Sequence, residues 1–135
     1  MERRFINPLE LSVPINYSHV AVASAGRTVY VSGQIALDAT GRIVGAGDLR
    51  AQAVQVYENL RAALDAAGAS FADVIKMTTF VVGLDPERTQ VLREVRAQFL
   101  PAGHKPASTM VGVASLVRPE LLVEVEMIAA LADRR

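Results

Sequence analysis

The residues best suited to chemistry are two glutamates in one short apolar run. Residues 121–127 read Leu-Leu-Val-Glu-Val-Glu-Met, so Glu124 and Glu126 interrupt an otherwise hydrophobic strand. Residues two apart in a strand share a face, about 7 Å from one another. Carboxylates there are costly to bury unless cations, hydrogen bonds or solvent meet them. Set in a cleft, one of them could act as a general acid or base, or orient a water. An interface ion pair with Lys76 or an arginine would satisfy them equally well. Other groups are less specific. Ser32 sits in Ser-Gly-Gln with no nucleophile motif around it, so a hydrogen-bonded hydroxyl is the better reading. His19 and His104 lie far apart and in no metal-ligand spacing, which points to structural roles and no metal site. Gly41, Gly45 and Gly47 lack the strand-to-helix setting of a phosphate-binding loop. Arg88, Arg93 and Arg96 give one helix a solvated basic side, from which one guanidinium could reach a neighbouring subunit and bind a carboxylate.

Several elements must position these groups. Residues 5–16 read as irregular, because Pro8 and Pro14 bar a long helix. Residues 17–23 and 27–35 read as strands joined by a hairpin turn at Ser24-Ala25-Gly26. In the second strand Val29, Val31, Gly33 and Ile35 should share one face, and Tyr30, Ser32 and Gln34 the other. The bare backbone of Gly33 between two polar side chains allows a ligand or a neighbouring chain to approach closely. Asp48 is a good N-cap. Leu49, Ala53, Val56, Leu60, Leu64 and Ala67 then recur at helical spacing up to Gly68, with Arg61 and Asp65 expected as an exposed i,i+4 pair. After a short turn at residues 70–73, residues 74–83 form a β-rich run with Lys76, Thr78 and Phe80 on one face. Asp85 and Pro86 open a second helix whose stripe is Val91, Leu92, Val95 and Phe99. Two final strands, 106–113 and 121–127, precede a frayed tail at 132–135.

The order is β-β-α-β-α-β-β, a single α+β domain over residues 1–135 with both helices on one face of one sheet. The other face collects Ser32, Gln34, Lys76, Thr78, Glu124 and Glu126. That mixture of polar and apolar surface suits burial between subunits, with Lys76 as the partner of one glutamate. Bulk properties agree. The 135 residues suffice for one domain with a real core, and 51% are hydrophobic. Mean hydropathy is +0.27, yet no apolar run approaches the ~20 residues of a membrane span, so an oligomer rather than a membrane protein is expected. Lys plus Arg and Asp plus Glu both total 14, a balance that disfavours a nucleic-acid partner. There is no cysteine, hence no disulfide framework or thiolate nucleophile. The N-terminus carries no apolar signal core, which makes the cytoplasm the expected compartment.

Taken together, Ser32-Gly33-Gln34, the helix ending Ala66-Ala67-Gly68, the run Val74-Ile75-Lys76-Met77-Thr78-Thr79-Phe80-Val81, Pro106-Ala107 and Val123-Glu124-Val125-Glu126 resemble the Rid family. It is also called the YjgF or L-PSP endoribonuclease family, and the resemblance spans residues 17–129. It implies a chorismate-mutase-like α+β fold and a homotrimer with a barrel-like core, its ligand clefts lying between subunits. It also implies hydrolysis of reactive enamines and imines, such as 2-aminoacrylate, to 2-keto acids and ammonia, with no metal or cofactor. In that subgroup an arginine after Pro-Ala grips the substrate carboxylate, and a last-strand glutamate positions water. The glutamate matches Glu124, the cleft tyrosine Tyr17, and the Ser-Gly pair Ser32 and Gly33. Ser108 stands where the arginine would be, and a hydroxyl does not replace a bidentate guanidinium contact. Arg93 or Arg96 could serve instead. The resemblance is therefore to subgroups without that arginine, and implies a substrate other than 2-aminoacrylate. A non-catalytic small-molecule-binding or regulatory trimer is the alternative. A ribonuclease is disfavoured by zero net charge and the lack of an aromatic-basic stripe. The partners implied are the chain itself and a small molecule, with no nucleic acid and no membrane.

Overall fold

The computed structural model describes residues 1–24 and 26–133. In chain order its elements are β1 (Arg3–Ile6), β2 (Val20–Ala23), β3 (Arg27–Gln34), α1 (Leu49–Ala66), a 3-10 turn (Phe71–Asp73), β4 (Val74–Val82), α2 (Pro86–Phe99), β5 (Ala107–Val113) and β6 (Val123–Leu131). The main sheet has the order β3-β6-β4-β5. β6 lies antiparallel between β3 and β4, while β4 and β5 run parallel. A parallel pair needs a long crossover, and α2 supplies it.

Local sequence explains the helices. The Asp48 carboxylate accepts the Ala51 amide at 3.0 Å and starts α1. At its end Gly68 takes φ +75, and the Ala69 and Gly68 amides return to the carbonyls of Leu64 (2.9 Å) and Asp65 (3.0 Å), the pattern of a Schellman cap. Asp85 accepts the Arg88 amide at 2.8 Å, with Pro86 at the first helical position of α2. Both helices cover one face of the main sheet. Val56, Leu60 and Leu64 of α1 and Leu92 and Val95 of α2 bury themselves against Met77, Val81, Val123, Val125 and Met127 of the sheet. The α+β architecture with two helices and mixed strand directions is as expected.

The N-terminal part departs from expectation. Strand β1 runs into residues 5 and 6, where irregular chain was expected, and β2 pairs with it rather than with β3. Strand β1 supplies the alternation the pairing needs, and Arg3 pins it to the body through Asp73 (2.9 Å) and the Ala72 carbonyl (2.7 Å). The Ala25 of the expected hairpin turn, and Arg134 and Arg135 of the expected frayed tail, lie outside the described residues. Arg61 does not pair with Asp65. It bonds Glu58 at 3.0 Å and lies over the Phe99 ring at 5.0 Å, where its charge gains both a carboxylate and a π face.

Candidate functional site

The site starts from an irregularity in β3. Val31 is opposite Met127 and Gln34 opposite Val125, so Ser32 and Gly33 together occupy the place facing Glu126. This β-bulge turns both residues toward the open face of the sheet and moves Gln34 to the side of Val125, under the helices. The strict alternation expected for Gly33 and Gln34 is thereby corrected. Gly33 now backs onto Glu124: a Cβ built on Gly33 would lie 1.9 Å from Glu124 Oε2. Only a glycine lets the carboxylate occupy that place. Glu124 is opposite Phe80 and Glu126 opposite Thr78, which confirms that the two acids share the uncovered face. Burial pushes the Glu124 carboxyl above the usual carboxylate range, and the charge on Glu126 adds to the shift.

No ion pair joins Lys76 to either glutamate among the described residues. Lys76 Nζ instead donates to Thr109 Oγ1 at 2.8 Å. Thr109 and Glu126 flank Thr78 on its two sides, so a lysine at position 76 can turn to either, and it turns to the hydroxyl. Ser32, Lys76, Thr78 and Glu126 line an open cavity of about 320 Å³ on this face. Tyr30 beside them is 77% exposed, a large aromatic surface without cover in the single chain.

Two polar residues of α1 hold the Glu124–Gly33 contact in place. Gln52 is fully buried. Its Oε1 accepts the Leu122 amide at 2.8 Å, and its Nε2 donates to the carbonyls of Glu120 (2.8 Å) and Gly45 (3.1 Å). That fixes the chain just before Glu124. Asn59 Nδ2 donates to the carbonyls of Ile35 (3.0 Å) and Leu37 (2.9 Å), fixing the chain just after Gly33. Sequence reasoning missed both. The signal for Gln52 was its place four residues before Val56, a polar residue on the apolar stripe.

The remaining expected site residues gather elsewhere. Ser18 donates its amide to the Pro106 carbonyl (3.1 Å) and its hydroxyl to the Lys105 carbonyl (2.6 Å), docking this segment along the start of β5. Tyr17 is thereby set beside Ser108. With Arg93, Arg96, Thr89 and Met110 they line a groove of about 260 Å³ between α2 and β5. Arg93 and Arg96 are half-buried there rather than on a solvated face, while Arg88 is tied to the Val82 carbonyl. So Tyr17, Arg93 and Ser108 come together, Ser32, Gly33 and Glu124 come together, and the two groups do not meet within one chain. Both histidines use Nε2 on backbone carbonyls, His19 on Ser12 (2.7 Å) and His104 on Val74 (2.8 Å), so each ring serves the fold. No cluster of three potential metal ligands occurs among the described residues.

The Endoribonuclease L-PSP family matches residues 9–131. The chain belongs to the Rid family, as this group is also called. A RutC family protein of Pyrococcus horikoshii is 41% identical over 106 residues, covering 78% of this chain and 80% of that protein. A Yersinia pestis protein of unknown function from the conserved Rid family is similar in structure. Its TM-score is 0.82 at 37% identity, over 97% of this chain and 100% of that one. RidA from an Antarctic Psychrobacter gives a TM-score of 0.69 at 35% identity, over 89% and 92% of the two chains. The Rid fold thus carries the Glu124–Gly33 contact on its open sheet face and the Tyr17–Ser108 groove beside α2. No helix is long and apolar enough to cross a membrane among the described residues.

Proposed function

We propose that this protein is a Rid-type hydrolase of small imines or enamines, working in a cleft between the subunits of a homotrimer. The carrying observation is the Glu124–Gly33 contact, a carboxylate of raised pKa held against bare backbone. The open sheet face presents Tyr30, Ser32, Lys76 and Glu126 without a covering layer, which suits assembly about that face. Assembly would set the Glu124–Gly33 ledge of one copy against the Tyr17–Ser108 groove of the next, completing a site that a single chain leaves in two parts.

In this reading Glu124 takes a proton from water as the oxygen adds to the imine carbon, and the nitrogen gains a proton to give a carbinolamine. Collapse expels ammonia and leaves the carbonyl compound. An enamine enters the same sequence once its β-carbon is protonated. Tyr17, Ser108 and Arg93 hold the substrate's acidic end, and the Ser32-Gly33 backbone meets its reacting end. A carboxylate with a raised pKa is a stronger base than an ordinary one and lies nearer neutral pH, so it takes the proton from water more readily. Serine in place of an arginine at position 108 moves the ligand charge toward Arg93, which supports a substrate other than 2-aminoacrylate.

The test is ammonia release from a panel of imino and enamine acids by the purified protein and by Glu124→Gln. Loss of a positioned base costs about 10²–10⁴-fold. Turnover by the native protein that falls by that factor supports the reading. Absence of turnover across the panel overturns it and leaves a binding trimer, and turnover untouched by the substitution overturns the role of Glu124.

A further inference from the structure

Arg93 and Arg96 stand one helical turn apart on α2, both half-buried, and no carboxylate pairs with either among the described residues. Four carboxylate–guanidinium pairs form elsewhere, including Arg50 with Glu94 on this same helix at 2.5 Å. Glu94 of α2 is taken by Arg50 of α1, so these two arginines are left without a carboxylate. Like charges at this spacing repel. The C-terminal end of the helix favours a cation at Arg96 but not at Arg93, which lies a turn further in.

Both arginines also line a second cavity of about 300 Å³, adjoining the Tyr17–Ser108 groove. Its wall adds Lys105, His104 and Asn16, and no acidic residue lines either cavity. Asn16 takes φ +61, a left-handed conformation uncommon outside glycine, as the chain turns into the segment that carries Tyr17. Backbone irregularity, two unpaired guanidiniums and adjoining cavities coincide here.

We propose that Arg93 and Arg96 form a clamp for a ligand that carries two negative charges, a dicarboxylate or a phosphate monoester. The clamp rests on reading the Tyr17–Ser108 groove as the acid-binding half of the site, and it assigns that half a ligand class. Two forked guanidiniums match two negative charges, each able to donate a pair of parallel hydrogen bonds. Ser108 leaves the space that a third guanidinium would fill, so the bulkier, doubly charged group fits where a single carboxylate would be gripped by one arginine. Lys105 extends the positive wall toward solvent and guides the dianion inward.

Calorimetric titration of the full-length protein at pH 8 tests this with succinate and methyl phosphate as dianions, and acetate and glycolate as monoanions. The dianions should bind about tenfold tighter than the monoanions, the worth of one additional charge-assisted hydrogen bond. Arg93→Gln and Arg96→Gln should each erase that preference, and Arg96→Lys should restore part of it. Preference for methyl phosphate over succinate assigns a phosphate ester, and the reverse assigns a dicarboxylate. Equal binding of dianions and monoanions by the native protein overturns the clamp, and this arm needs no folded variant. Unchanged dianion affinity in the Gln variants also overturns it. So does a change in their oligomeric state on size-exclusion chromatography at unchanged affinity, which would make the arginines partners of an acid on a neighbouring copy. Glu124→Gln separates the two proposals: it should abolish turnover and leave dianion binding intact. If turnover survives in Glu124→Gln while dianions still bind, hydrolysis at Glu124 fails and the clamp stands.

Discussion

Replacing Gly33 by alanine should remove activity while leaving the fold nearly as stable as before. A Cβ at this position would lie 1.9 Å from Glu124 Oε2, 2.8 Å from Cδ and 3.0 Å from Cγ. What it meets is the far end of a flexible side chain, so the carboxylate swings aside and the backbone stays. Gly33 is not among the residues of positive φ, so alanine suits its backbone. Forcing Glu124 from its rotamer costs about 0.5–1.5 kcal/mol. Restricting the unfolded chain returns about 0.4–1 kcal/mol. The balance is within about 1 kcal/mol, or roughly 4 °C in Tm. Activity is far more sensitive, because displacing a catalytic group by about 1 Å costs on the order of 100-fold. The assay is ammonia release for kcat/KM together with thermal denaturation, on Gly33→Ala, Glu124→Gln and the double variant. The double variant should be no slower than Glu124→Gln alone, since the alanine acts only through the carboxylate it displaces. Near-native turnover in Gly33→Ala would refute the reasoning. So would losses that multiply in the double variant, because Gly33 would then serve the reaction independently of Glu124.

Three further outcomes follow from the same geometry. Glu126→Gln removes the charge that helps hold the Glu124 pKa up, so the acid limb of the pH–rate profile should move to lower pH, measured as kcat/KM against pH. Glu124→Gln should raise Tm at neutral pH. The folded protein holds the Glu124 proton more tightly than the unfolded chain does, so the native carboxylate costs stability as pH rises through its folded pKa. The gain from glutamine should therefore vanish under acid conditions, where native Glu124 is protonated in both states. Gln52→Leu strips three hydrogen bonds from a buried site and leaves the Leu122 amide unpaired. It should cost about 3 kcal/mol in urea denaturation, at the upper end for one unsatisfied buried amide.

Much of the fold was legible because its signals are local. The stripe of α1, its Asp48 start and Gly68 stop, and the Asp85-Pro86 start of α2 are each decided within a few residues, and each stands as read. The pairing of β2 was not legible. Residues 20–23 alternate well enough for either partner, and the choice depends on β1, a strand of four residues anchored by a long-range contact between Arg3 and Asp73. The bulge at Ser32-Gly33 was half legible. A glycine between two polar residues signalled close approach, but not that the alternation would slip and bring that glycine to Glu124. Lys76 shows the same limit for charge. Its face was read correctly, while its choice of Thr109 over Glu126 depends on which neighbouring strand lies nearer the amine.

These failures share a cause that bears on how the site works. Each hidden feature is a contact between residues far apart in sequence, and the helix α1 makes the decisive ones. Gln52 grips the approach to β6 and Asn59 grips the exit from β3, so one rigid helix sets the spacing between Glu124 and the Gly33 backbone. A carboxylate on a free strand end would move with its loop. Here its position is tied to a helix whose apolar face is buried in the core, so the energy that holds the fold also holds the carboxylate. The Tyr17–Ser108 groove is tied to α1 at one remove. It is built from α2, β5 and the segment docked by Ser18, and α2 is held to α1 by the Arg50–Glu94 ion pair and the stacked Tyr57 and Phe99 rings. The same helix therefore fixes the backbone around Glu124 directly and the arginines of α2 through one further contact, so a substitution at position 108 can reshape the groove without moving Glu124.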